Sequence, residues 1–166
     1  LPLYDETLYR PQSMISGDNA KTWKNWGGML QTSAIQPSII ERSDGTLFCM
    51  MRDAGRKDIW QSTSADMGKT WKRPELSGLP NPDAATDMVE LANGHVALAY
   101  NDSYLSRVPL TVALSEDEGR TWTYKRNLET DAARGEYSYP AIIQTPDGII
   151  HVTYTYGRTR IKHAAF

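Results

Sequence analysis

Two arginines, two tyrosines and a few carboxylates are the side chains of this sequence best suited to chemistry beyond packing. Arg52 and Arg107 each carry a planar guanidinium fork that can grip a carboxylate through two parallel hydrogen bonds, which a lysine cannot do. Tyr137 and Tyr139 flank Ser138 and offer phenols. A phenol, with a pKa near about 10, is a poor nucleophile at neutral pH unless a neighbour takes its proton. Glu136, Asp87 and Glu90 are carboxylates that could serve. Each residue also has a plainer reading. Arg52, beside Asp53 and near Asp58, could be an ion pair on a rim; Arg107 could sit in a surface loop; either tyrosine could pack in a core. His95, His151 and His163 lack metal-site spacing, and Arg158, Arg160 and Lys162 alternate as on the solvated face of a strand. Residues so far apart act together only if the fold gathers them.

The gathering is announced by a repeat. The pattern Ser-x-Asp-x-Gly-x-Thr-Trp occurs at Ser16–Trp23, Ser64–Trp71 and Ser115–Trp122, with Ala20 in place of Gly in the first copy. Asp18, Asp66 and Asp117 are 48 and 51 residues apart, a period expected of four-stranded propeller blades. In such a turn the carboxylate can accept from backbone N–H groups, the Gly supplies positive φ, and the Trp leaves into apolar packing. A second periodic signal, apolar–turn–apolar, falls at Asp44-Gly45, Asn93-Gly94 and Asp147-Gly148, each a hairpin signature. Alternation in Leu47–Arg52, Val96–Tyr100, Leu110–Leu114 and His151–Tyr156 predicts strands, and frequent Pro and Gly, as in Leu79-Pro80-Asn81-Pro82, predict no long helix.

Composition narrows the partners. The 166 residues hold 18 Lys+Arg against 20 Asp+Glu, a net charge of −2, with 40% hydrophobic residues, as in an ordinary globular domain. Without a basic run, neither nucleic acid nor an anionic membrane is an expected partner, and no apolar run is long enough to span a bilayer. The lone Cys49, among Leu47, Phe48, Met50 and Met51, reads as a small buried hydrophobe and leaves the compartment open. The start at Leu1-Pro2-Leu3-Tyr4 has neither an initiator Met nor the regions of a signal peptide, and reads as a cut start.

The repeat resembles the Asp-box of the sialidase-type β-propellers, the bacterial neuraminidase repeat, in which the box joins the last two strands of a blade on the rim away from the active site. The resemblance implies an all-β fold: about half of a six-bladed β-propeller with four-stranded antiparallel blades, roughly 1–34 (partial), 35–75, 84–127 and 136–166 (partial). It also implies an activity. That family holds a sialic acid carboxylate with three arginines and attacks the anomeric carbon with a tyrosine paired to a glutamate. Tyr137-Ser138, followed by Ile142-Ile143, Asp147-Gly148 and Val152-Thr153-Tyr154, resembles the segment bearing the nucleophile; Arg52 and Arg107 resemble the second and third arginines. Tyr139 and Gln36 are expected among the substrate contacts.

The sequence departs from the family where the glutamate is due, because Ile35-Gln36-Pro37-Ser38 offers an amide there. Asp87 is the preferred substitute base and Glu136 another, although Glu136 and Tyr137, adjacent on a strand, should point to opposite faces. The expected function is an exo-glycoside hydrolase of sialidase type; the alternative is a non-catalytic carbohydrate- or protein-binding propeller, which Gln36 favours. The expected ligand is sialic acid or another acidic-sugar glycan, with no cofactor. The family's first arginine and acid/base aspartate belong to the half-ring not represented, so one copy alone is expected to be inactive. Open blade faces predict a homo-oligomer or completion by the missing blades.

Overall fold

The computed structural model describes residues 1–29, 33–55 and 58–166. Short β-branched and aromatic runs cut by Gly and Pro give no helix room to propagate, and among the described residues only Ala132–Arg134 winds, as one 3-10 turn. The strands are β1 (Pro2–Asp5), β2 (Arg10–Ile15), β3 (Lys24–Gly28), β4 (Ala34–Glu41), β5 (Leu47–Asp53), β6 (Asp58–Ser64) and β7 (Glu75–Pro80). They continue as β8 (Asp87–Glu90), β9 (Val96–Asn101), β10 (Leu110–Ser115), β11 (Tyr124–Glu129), β12 (Tyr137–Gln144), β13 (Ile150–Tyr156) and β14 (Arg160–Ala165). Four antiparallel sheets follow in chain order: β1-β2-β3, β4-β5-β6-β7, β8-β9-β10-β11 and β12-β13-β14.

The sheets meet through their leading strands, β1 against β4, β4 against β8 and β8 against β12. Between them lie three apolar layers. Met29, Ala34, Cys49 and Met51 fill the first; Ile40, Phe48, Met50 and Ile59 meet Leu98 and Tyr100 in the second; Ala97, Ala99, Leu110 and Val112 meet Tyr137, Ile142, Val152 and Tyr154 in the third. Successive side chains of a strand point to opposite faces, so Phe48 and Met50 feed one layer while Cys49 and Met51 feed another. This explains a difference from the sequence expectation. Phe48–Met51, within the Leu47–Arg52 segment, and Val96–Tyr100 are continuous apolar runs buried on both faces, not half-buried alternating ones.

Alternating strand direction sorts the turns. The Asp44-Gly45, Asn93-Gly94 and Asp147-Gly148 hairpins share one end of the sheets with the Ser-Asp-Trp boxes. The β5–β6, β9–β10 and β13–β14 loops, and the segments leading from sheet to sheet, share the other. In each box the Asp accepts from the Thr amide and hydroxyl four residues on; for Asp66 these bonds are 2.8 and 2.6 Å. Met67-Gly68 and Glu118-Gly119 take positive φ, and the first copy forces Ala20 to φ 62° where the others use Gly. The boxes lean back on the sheet before their own. Trp71 donates through Nε1 to Ser13 Oγ of β2 at 3.0 Å, and Trp122 packs on the layer beneath the second sheet. Trp23 of the first copy is 42% exposed.

Candidate functional site

The end opposite the boxes carries the site, and two matching irregularities build it. In β4 the pairing register slips between Ile35 and Pro37, and in β12 between Ser138 and Ala141. The residue at each slip, Gln36 or Tyr139, precedes a proline and takes a left-handed φ, 53° and 52°. A proline cannot donate to the ladder, so it marks a bulge, and the bulge re-aims the side chain before it. Both side chains turn into a cleft of about 730 Å³ lined also by Arg52, Asp83, and Tyr4, Glu6 and Tyr9 of the β1–β2 hairpin.

Arg52, near the end of β5 with its side chain 12% exposed, donates from Nη1 to Gln36 Oε1 at 3.0 Å and from Nε to Asp83 Oδ1 at 2.7 Å. Arg107, in the β9–β10 loop, donates from Nη2 to the Asp83 carbonyl at 2.9 Å and from Nη1 to Glu136 Oε1 at 3.3 Å. Its guanidinium lies 5.4 Å from the Tyr139 ring centroid. The Arg107 guanidinium beside the Tyr139 phenol lowers its pKa below the ordinary tyrosine range; desolvation opposes this and Arg52 adds to it. Glu136 also accepts from Arg158 Nε at 2.7 Å and Ser138 Oγ at 3.0 Å. Partial burial pushes the Glu136 carboxyl up, but the bonds from Arg158 and Ser138 and the charge of Arg107 outweigh it, so it is held below the usual range. Arg52, Arg107 and Arg158 are thus interleaved with Asp83 and Glu136, and Glu6 adds a third carboxylate on the cleft wall.

Tyr137 does not join this group. Its ring is fully buried against Tyr154 and Tyr156, its hydroxyl donates to the Asp131 carbonyl at 2.7 Å, and burial raises its pKa. Asp87 has both carboxylate oxygens engaged with backbone and Ser38 donors. Among the described residues no carboxylate is hydrogen-bonded to the Tyr139 hydroxyl, which is the exposed phenol of the pair at 48% for the residue. The opposite pointing of Glu136 and Tyr137 follows strand alternation, whereas the bulge breaks that alternation for Tyr139. Asp83 and Arg158 went unnoticed in the sequence as site residues. Arg158 stands in the turn before β14 at φ 53°, off the strand face that spacing suggested for it, while Arg160 and Lys162 stack on Tyr156. Asp83, at φ 61°, follows the Asn81-Pro82 turn, which is the one local signal that could have flagged it.

Comparison with known proteins decides the family: the model for BNR repeat-like domains matches residues 1–152. The chain belongs to the sialidase-like BNR-repeat family. Among curated members, the anhydrosialidase of Macrobdella decora is 24% identical over 93% of this chain, which spans only 22% of that protein. Solved structures of the same fold include the NanB sialidase of Streptococcus pneumoniae, with a TM-score of 0.75 at 22% identity over 88% of this chain and 24% of that one. The intramolecular trans-sialidase of Ruminococcus gnavus, solved with oseltamivir carboxylate, gives a TM-score of 0.78 at 21% identity over 100% of this chain and 40% of that one. Among the described residues no group of three or more His, Cys, Asp or Glu could hold a metal ion.

Proposed function

We propose that this chain is part of the catalytic propeller of an exo-acting glycoside hydrolase of sialidase type, its four sheets being consecutive blades of a six-bladed ring. The observation that carries the reading is that Arg52 lines one cleft with Tyr139 while Arg107 approaches the same ring from beside it, its guanidinium 5.4 Å from the ring centroid. In this reading the two guanidiniums hold the carboxylate of a sialic acid or similar acidic sugar bidentately. Tyr139, in place of Tyr137, is the nucleophile: its oxygen bonds to the anomeric carbon as the bond to the leaving group breaks. A lowered phenol pKa raises the phenolate fraction available at neutral pH. Glu136 orients Arg107 and does not act as a base, since its oxygens already serve two arginines and a serine.

One observation favours a second reading, binding of an acidic sugar without turnover. Gln36, at the place of the family's glutamate, accepts from Arg52 and has no proton chemistry to offer Tyr139.

The deciding experiment is turnover of a fluorogenic sialoside by the whole protein, comparing Tyr139→Phe with Tyr137→Phe. Loss of the nucleophile is expected to cut kcat by at least about 100-fold, and loss of the buried Tyr137 hydroxyl is expected to cost about 1 kcal/mol of stability while sparing kcat. Full turnover by Tyr139→Phe would overturn the assignment. Absence of turnover in the native protein, with calorimetric binding of sialic acid that Arg52→Ala abolishes, would establish the binding reading.

A further inference from the structure

Gln36 and Tyr139 are held where strand pairing cannot hold them. Each sits at a register slip, each has positive φ, and each precedes a residue with no N–H. A left-handed backbone at a non-glycine residue persists only where its surroundings over-determine it. One carboxylate contacts both strands just past these places.

Asp87, the first residue of β8, lies between β4 and β12. Its Oδ1 accepts from Ser38 Oγ of β4 at 2.8 Å and from the Met88 amide at 3.1 Å. Its Oδ2 accepts from the Ile142 amide of β12 at 3.0 Å. Ser38 Oγ in turn accepts from the Met88 amide at 3.0 Å, which closes the network on β8 itself. Ser38 stands two residues past Gln36, and Ile142 three past Tyr139. The contacts therefore grip both bulged strands just beyond their irregular residues, on edges that have no further strand to pair with.

We propose that Asp87 is the positioning residue of the site: its carboxylate ties β4, β8 and β12 together and so fixes the two bulges that present Gln36 and Tyr139 to Arg52 and Arg107. The role is distinct from general base, because every oxygen contact is to a donor on another strand or its own backbone. It deepens the reading of Tyr139 as a site residue and rests on it. A carboxylate is required: an amide at this position turns an NH₂ toward either the Ile142 amide or the Ser38–Met88 pair, and one tie is lost.

The test reads the phenol directly. The phenolate spectrum of this chain is titrated with pH, and the contribution of Tyr139 is obtained by subtracting the Tyr139→Phe titration measured in the same background. In Asp87→Ala that step is expected to move up toward the ordinary tyrosine value as the hydroxyl leaves the guanidiniums. Asp87→Asn, which keeps one tie, is expected to move it by less. An unchanged Tyr139 step in a folded Asp87→Ala chain, judged by far-ultraviolet circular dichroism, overturns the proposal. If Asp87→Ala does not fold, Asp87→Asn decides: an upward shift supports the role and none refutes it. The readout needs no turnover, so failure of the sialoside assay and failure of this proposal remain separate results.

Discussion

At the scale of single residues, the box aspartates make a pH prediction. Hydrogen bonds from the Thr hydroxyl and amide hold Asp18 and Asp66 at about 2; in Asp117 burial pushes upward, but the matching Thr121 bonds win and leave it also at about 2. A carboxyl more acidic in the folded chain than in the unfolded one stabilises the fold fully above its unfolded pKa, about 3.8, and loses that contribution as pH falls toward about 2. The thermal midpoint is therefore expected to be level near neutrality and to drop between about pH 4 and about pH 2, with a shallower drop in Asp66→Asn; a variant curve parallel to the native one would contradict this. The same scale shows what was legible beforehand. Arg52 and Arg107 stood out as candidate site residues from side-chain chemistry and family pattern, and the structure brings both beside Tyr139. The choice between Tyr137 and Tyr139 was not legible, because strict alternation puts both on one face and only the slip before Pro140 separates them. Gln36-Pro37 and Tyr139-Pro140 are the shared signal, since a proline within a strand is confined to edges and bulges. Asp83 depends on a contact with Arg52 across 31 residues, and the Asn81-Pro82 turn before it marks a turn without naming that partner.

At the scale of elements, the hairpins were the most legible part, because Asp-Gly and Asn-Gly turns carry their own geometry. What the turns touch was not. Gly45 and Gly119 both have positive φ, 77° and 84°, yet a Cβ on Gly45 would meet nothing within 4 Å while one on Gly119 would lie 2.5 Å from Phe48 Cε1 of the neighbouring sheet. That ring is also covered by Arg42, whose guanidinium carbon lies 4.3 Å from its centroid. Gly45→Ala is expected to cost about 1 to 2 kcal/mol from backbone strain alone. Gly119→Ala should cost that and about 1 to 3 kcal/mol more from overpacking between sheets. Urea unfolding of the two variants measures the difference, and equal losses would mean that the box of the third sheet does not press on the second.

At the scale of the whole molecule, the backward lean of the boxes couples each sheet to the one before it. Trp71→Phe removes the bond to Ser13 and is expected to destabilise the chain by about 1 kcal/mol, whereas Trp23→Phe, at an exposed ring, should be nearly neutral. Thermal unfolding of the pair tests this, and a larger loss from Trp23 would contradict it. The direction of that lean bears on how the protein is made. The clasps of Trp71 and Trp122 each follow, in order of synthesis, the surface that receives them, so the sheet leaving the ribosome finds its dock already made and seals it. The second and third sheets can thus be sealed without waiting for residues still untranslated.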